Sequence, residues 1–126
     1  MTAIATGTDI KPLPGSLIRK GTLGTTVTKG NAVTLQSDGY WDPTDTTTNA
    51  QLTVAVAVQG GVVGDVVDLV ILGPVQCISA ATPGVLVYGS NTAGGFNDAV
   101  GTKDLVIGYV ESATVLYVRP QIIDFS

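Results

Sequence analysis

Residues 30–43, GNAVTLQSDGYWDP, and residues 52–75, LTVAVAVQGGVVGDVVDLVILGPV, decide how this chain folds. In the second stretch Val54, Val56 and Val58 alternate with Ala55 and Ala57. Side chains of an extended chain point alternately to opposite faces, so the valines form one apolar face and the alanines a shallow one. The valine face points to a core. The alanine face leaves room for another layer, or a neighbouring chain, to approach closely. Residues 66–72 are apolar on both faces except for Asp68, whose carboxylate requires solvent or a partner because burying it alone is costly. Gly64-Asp65 joins the two runs as a hairpin, with Asp65 as its turn residue.

The same rhythm extends outward. Turn signals recur at Pro14-Gly15, Gly30-Asn31, Asp38-Gly39, Gly60-Gly61, Gly73-Pro74, Pro83-Gly84 and Gly94-Gly95, with Thr- and Val-rich runs between them. Strands are expected over residues 32–36, 39–42, 52–58, 66–72, 75–79, 85–88, 105–111 and 114–119, with a further one at 22–28. Helix signals are nearly absent. Short strands with regularly spaced turns indicate an all-β domain, a small β-barrel or β-sandwich. Gly30, Ala32-Val33-Thr34-Leu35 and Gly39-Tyr40-Trp41-Asp42 are echoed by Gly84, Val85-Leu86-Val87-Tyr88 and Gly95-Phe96-Asn97-Asp98. Either the chain carries two copies of one unit, or a Gly/Val-rich composition produces the likeness by chance.

Residues 1–20 differ in character from residues 21–126. They lack strand alternation, and Pro12 and Pro14 favour an extended conformation. Ile4, Ile10, Leu13, Leu17 and Ile18 are spaced along this N-terminal arm, which cannot form a core alone. It is expected to dock on the β-barrel or sandwich domain or on another subunit, and these five residues are candidates for partner contact. Ile122, Ile123 and Phe125 suggest that the C-terminal tail packs down as well.

Bulk properties narrow the function. A chain of 126 residues is most simply one domain. With 44% hydrophobic and 13% charged residues it is not a disordered chain. The net charge is −4, and the six basic residues are scattered, so the basic footprint of a nucleic-acid binder is missing. No apolar run approaches the roughly 20 residues of a membrane helix, and no signal-peptide core is evident. Synthesis in the cytoplasm is expected. Cys77, the single cysteine, sits in an apolar run and reads as a buried, inert thiol.

Catalytic constellations fail in turn. The chain has no histidine, which removes His-based triads and zinc-His sites. The glycines at 60, 61 and 64 lead into a strand, out of context for a nucleotide-binding loop. Asp38, Asp42 and Asp45 have oxygens that suit Ca²⁺, but their spacing is not that of an EF-hand and their neighbours are turn formers. Asp65 and Asp68, three apart on a strand, point to opposite faces and make a poor acid/base pair. Tyr40 and Trp41 are adjacent and face opposite ways if extended. One caps the core, and the other marks a ligand or partner surface, so Trp41 joins the candidate interface residues. No enzyme, metal or cofactor is expected.

A pattern of Gly30, Val33, Leu35, Gly39-Tyr40-Trp41, Val54-Ala55, Gly64-Asp65, Val67, Leu69 and Gly73 resembles the capsid decoration, or head cement, proteins of tailed bacteriophages. Gly84, Val87-Tyr88 and Ile107-Gly108-Tyr109-Val110 continue the likeness. It covers roughly residues 17–119 and leaves the arm outside. The resemblance implies a structural virion protein on the capsid exterior, often a homotrimer, that binds and bridges major capsid proteins and stabilises the head. Contacts with nucleic acid or membrane are not implied. Two other readings stand beside it: a tail- or fibre-type virion β-domain, and a small carbohydrate-binding barrel that uses Trp41.

Overall fold

The computed structural model describes residues 3–47, 54–102 and 105–122. Eleven strands occur among them, and no helix: β1 (Ala3–Ile4), β2 (Thr6–Pro12), β3 (Leu17–Thr22), β4 (Ala32–Leu35), β5 (Trp41–Pro43), β6 (Val54–Ala57), β7 (Val66–Ile78), β8 (Leu86–Gly89), β9 (Phe96–Asn97), β10 (Leu105–Ser112) and β11 (Val115–Ile122). The fold is all-β, a small domain containing a closed six-stranded barrel with further strands attached.

The long strand β7 organises everything else. Two strands were expected here, separated by a turn at Gly73-Pro74; instead the chain runs through that point as one bent strand. Gly73 has φ of 104°, which only glycine adopts without strain. A Cβ at this position would also lie 2.7 Å from the Ser16 Cα. Pro74 has no N–H to donate, and it falls where the neighbouring β2–β3 chain is interrupted by a turn at 13–16. The Gly-Pro pair therefore bends a strand rather than ending it.

Beyond the bend, the second half of β7 belongs to the barrel, whose order is β7–β11–β10–β8–β9. The N-terminal segment closes the ring: Ala3 and Ile4 pair with Asn97 and Phe96, while Thr6, Lys11 and Pro12 pair with Ile78, Gln76 and Val75. Before the bend, the first half of β7 lies between β3 and β6, and the sheet continues through β4 to β5. A single parallel bridge, Leu23 to Trp41, draws the ends of this second sheet together.

The repeat suggested by the sequence is present in the connectivity. β4 pairs with β5 and β6, and β6 pairs with β7; likewise β8 pairs with β9 and β10, and β10 pairs with β11. Hydrogen bonds repeat too. Gly30 N donates to Ala57 O at 2.7 Å, and Gly84 N to Val110 O at 2.8 Å. Ala57 N returns to Asn31 O at 2.9 Å, and Val110 N to Val85 O at 2.9 Å. The register corrects one detail. Leu35 faces Trp41 as Gly89 faces Phe96, so Phe96 corresponds to Trp41, and not to Tyr40.

Two cores result. Val54 and Val56 join Val70, Val75, Val87, Phe96, Ile107 and Leu116 in the larger one. The alanine face of β6, Ala55 and Ala57, packs with Leu23, Val27, Val33, Val67 and Leu69 in the other. The close layer expected against those alanines is therefore this chain's own second core. Cys77 is fully buried in the larger core, and burial pushes its thiol up to about 12. A buried polar seam also links the two units. Thr34 and Thr44 hydroxyls meet at 2.8 Å, Gly94 N donates to Thr44 O, and Thr46 N donates to Ser90 O.

Candidate functional site

Of residues 1–20, expected as an extended arm docking on the domain or on another subunit, 3–4, 6–12 and 17–20 lie in strands that pair with this chain's own sheet, and the boundary at residues 20/21 falls inside β3. Alternation was invisible in sequence because the pairing of β2 with β7 slips between Thr6 and Lys11. A Cβ on Gly7 would lie 2.9 Å from Ile78 O, so close contact with β7 demands an absent side chain there.

This placement separates the candidate interface residues. Ile4 and Ile10 are partly buried and pack against the larger core. Leu13 is half-buried at the bend, where its N–H donates to Pro74 O at 3.2 Å. Trp41 is half-buried against the smaller core, with its indole over Gly21, whose Cβ would meet the ring at 2.6 Å. Tyr40 is its exposed neighbour. Leu17 and Ile18 stay exposed, at 53% and 42%.

The exposure of Leu17 and Ile18 follows from topology. β3 hydrogen-bonds to β7 along one side, and residues 17–20 are all exposed, as expected of a strand with a free second edge. Leu17 pairs with Leu72, and Ile18, one residue on, pairs with Val70 across a bulge. Directly opposed residues share a face, so Leu17, Ile18 and Lys20 lie beside Leu72, Val70 and Asp68. Leu72 is 44% exposed and extends the apolar strip. Farther along the same sheet, the hairpin displays Val62, Val63 and Val66. Sequence reading missed these residues, although the double-sided apolarity of residues 66–72 was a signal that β7 carries more apolar surface than one core absorbs.

Charge completes the surface. Lys20 Nζ donates to Asp68 Oδ1 at 2.8 Å, so the lone carboxylate of β7 is partnered. Asp68 N also donates to Gln59 Oε1 at 3.0 Å. Arg19, next to Lys20, forms no ion pair among the described residues.

The acidic group around Trp41 is engaged in turn formation. Asp38 Oδ1 accepts from Tyr40 N at 3.0 Å, and Asp45 Oδ1 accepts from Thr47 N at 2.9 Å. Asp42 Oδ1 is buried without a hydrogen-bond partner, close against Gly24. Burial raises its carboxyl above the ordinary 3.8, and nearby Asp38 adds to the effect. Among the described residues no three His, Cys, Asp or Glu side chains gather as a metal site would require. Two open cavities, of about 260 and 340 Å³, flank Ile4 at the barrel end, and Trp41 lines neither. No known family and no curated protein matches the chain.

Proposed function

We propose that this chain is a structural virion protein that binds the outside of a phage capsid and stabilises it by bridging major capsid proteins. One observation carries the reading: a doubled β-scaffold displays an apolar strip, Leu17, Ile18 and Leu72, along an open strand edge. The resemblance to head cement proteins adds to it. Its glycines form the turns at Gly30, Gly39, Gly64 and Gly84, and its Val-Ala strand is the shared wall between the two cores. A strip of this size gives a weak single contact. Repetition over a lattice turns weak contacts into strong retention, because each engaged copy raises the effective concentration of the next. Self-association as a homotrimer on the head surface belongs to the same proposal.

The test is direct. Expanded heads lacking this protein are mixed with the purified chain, sedimented, and then challenged by heat and chelator. Saturable co-sedimentation and greater resistance to disruption are expected. Absence of binding, or binding with unchanged head stability, refutes the reading.

A further inference from the structure

The two halves of the molecule differ at one equivalent place, and that difference assigns a binding mode. In the barrel, the second half of β7 is flanked on one side by β11 and on the other by β2. In the second sheet, β3 holds the matching position beside the first half of β7, and among the described residues none pairs with its other edge at residues 17–20, whose side chains are exposed. The repeat fixes the correspondence residue by residue. Val70 of β7 faces Val56 as Tyr117 of β11 faces Tyr109, so Ile18 corresponds to Pro74 and Lys20 to Gln76. Gln76 is where the N-terminal strand docks, opposite Lys11. The molecule thus shows, on its own copy of the site, what such an edge binds: an extended, antiparallel segment.

Its own segment does not suit the open copy. In the same register Lys11 would lie opposite Lys20, and like charges directly across a strand pair repel. Ile4 and Ile10 would also leave the core. The occupant must therefore come from elsewhere and carry different charge. We propose that Leu17–Lys20 is a strand-addition site for an extended segment of another protein. That segment is apolar on the face where it meets Leu17, Ile18 and Leu72, and on its other face carries a carboxylate beside Arg19. Main-chain hydrogen bonds supply the affinity of such a mode, and side chains supply its selectivity. The Leu23–Trp41 bridge closes the far end of the slot and limits the added strand to a short stretch. That the segment belongs to a capsid protein rests on the function proposed above; the strand-addition mode does not.

A capped nonapeptide alternating Thr and Val, with Asp at its centre, is a suitable probe, compared with the same peptide carrying Lys there. The chain has one tryptophan, and its indole covers Gly21 of β3, so an added strand is read by Trp41 emission. Hydrogen exchange locates the site. The Asp peptide is expected to shift emission saturably and to slow exchange at residues 17–20. The Lys peptide should bind on the order of tenfold more weakly, and Arg19→Glu should reverse that order. Arg19 is exposed, so the variant leaves both cores intact.

Equal binding of both peptides, no binding, or protection only at other strands overturns the proposal. So does protection of residues 17–20 that grows with protein concentration alone, which would make the edge a contact between copies. Head binding that persists in Arg19→Glu while Asp-peptide binding is lost would overturn the assignment of the segment to a capsid protein and leave both strand addition and the decoration function standing. Peptide binding without head binding refutes the decoration function and leaves strand addition standing.

Discussion

Replacing Gly73 by alanine tests whether the bend in β7 holds the two halves together. Two effects add. The backbone there has φ of 104°, and placing an L-residue in the left-handed region costs about 1–2 kcal/mol. The new Cβ would also sit 2.7 Å from the Ser16 Cα and 2.9 Å from the Gly15 carbonyl oxygen. Both are backbone atoms of the turn between β2 and β3, so no rotamer change relieves the contact. Forcing extra volume into a packed site costs about 1–3 kcal/mol more. Gly84 supplies the control, since its φ is 88° and a Cβ there meets nothing within 4 Å. Gly84→Ala should therefore lose only the conformational part. Urea unfolding of the two variants, followed by circular dichroism, reads the difference as a shift in midpoint at constant slope. Gly73→Ala is expected to be less stable than Gly84→Ala by about 1–3 kcal/mol. Midpoints that agree for the two variants would refute the close-approach argument and leave Gly73 as an ordinary turn glycine.

The Asp42 carboxyl is raised above 3.8 in the fold, so its ionised form is disfavoured there relative to the unfolded chain. Its contribution is most favourable below 3.8 and declines as pH rises through the folded value, leaving a penalty at neutral pH. Asn97 occupies the equivalent place in the other unit, which makes Asp42→Asn the natural replacement. The variant should be the more stable at pH 7, and its advantage should shrink as pH falls below 3.8. An advantage of equal size across that range would show that ionisation is not its source. With its thiol pushed up to about 12, Cys77 holds on the order of one part in ten thousand as thiolate at pH 8. A disulfide reagent should modify it only as fast as the protein unfolds, and rapid labelling of the native protein would contradict its burial.

Much of this fold is legible in the sequence because period-two patterning and glycine turns are local signals. Val54 to Ala57 shows its strand and both of its faces, and Gly64-Asp65 shows the hairpin that follows. What escaped depends on contacts between distant segments. Gly73-Pro74 reads as a turn until the chain at 13–16 is seen to occupy the space beside it. Residues 3–12 read as an arm because their pairing with β7 slips in register between Thr6 and Lys11, a contact between distant segments. The candidate site divided on the same ground. Leu17, Ile18, Ile4 and Ile10 look alike in sequence, yet only Ile4 and Ile10 have barrel core beside them.

The open edge also raises the question of why it does not simply pair with another copy of itself. Exposed strand edges are aggregation templates, and proteins blunt them with charge and bulges. β3 has both: a bulge between Leu17 and Ile18, and the adjacent bases Arg19 and Lys20. In an antiparallel pairing of two β3 edges, the basic pair of one copy would approach that of the other and repel it. Lys20 also opposes Lys11 of the chain's own N-terminal strand. Between copies, Lys20 is partly neutralised by Asp68, so Arg19 carries the larger share of that repulsion. Specificity is a difference between affinities, and a repulsive element contributes to it as much as an attractive one. The two bases that protect the edge from its own kind therefore also select an acidic partner. Replacing both with neutral residues should broaden what the edge accepts at the same time as it promotes self-association.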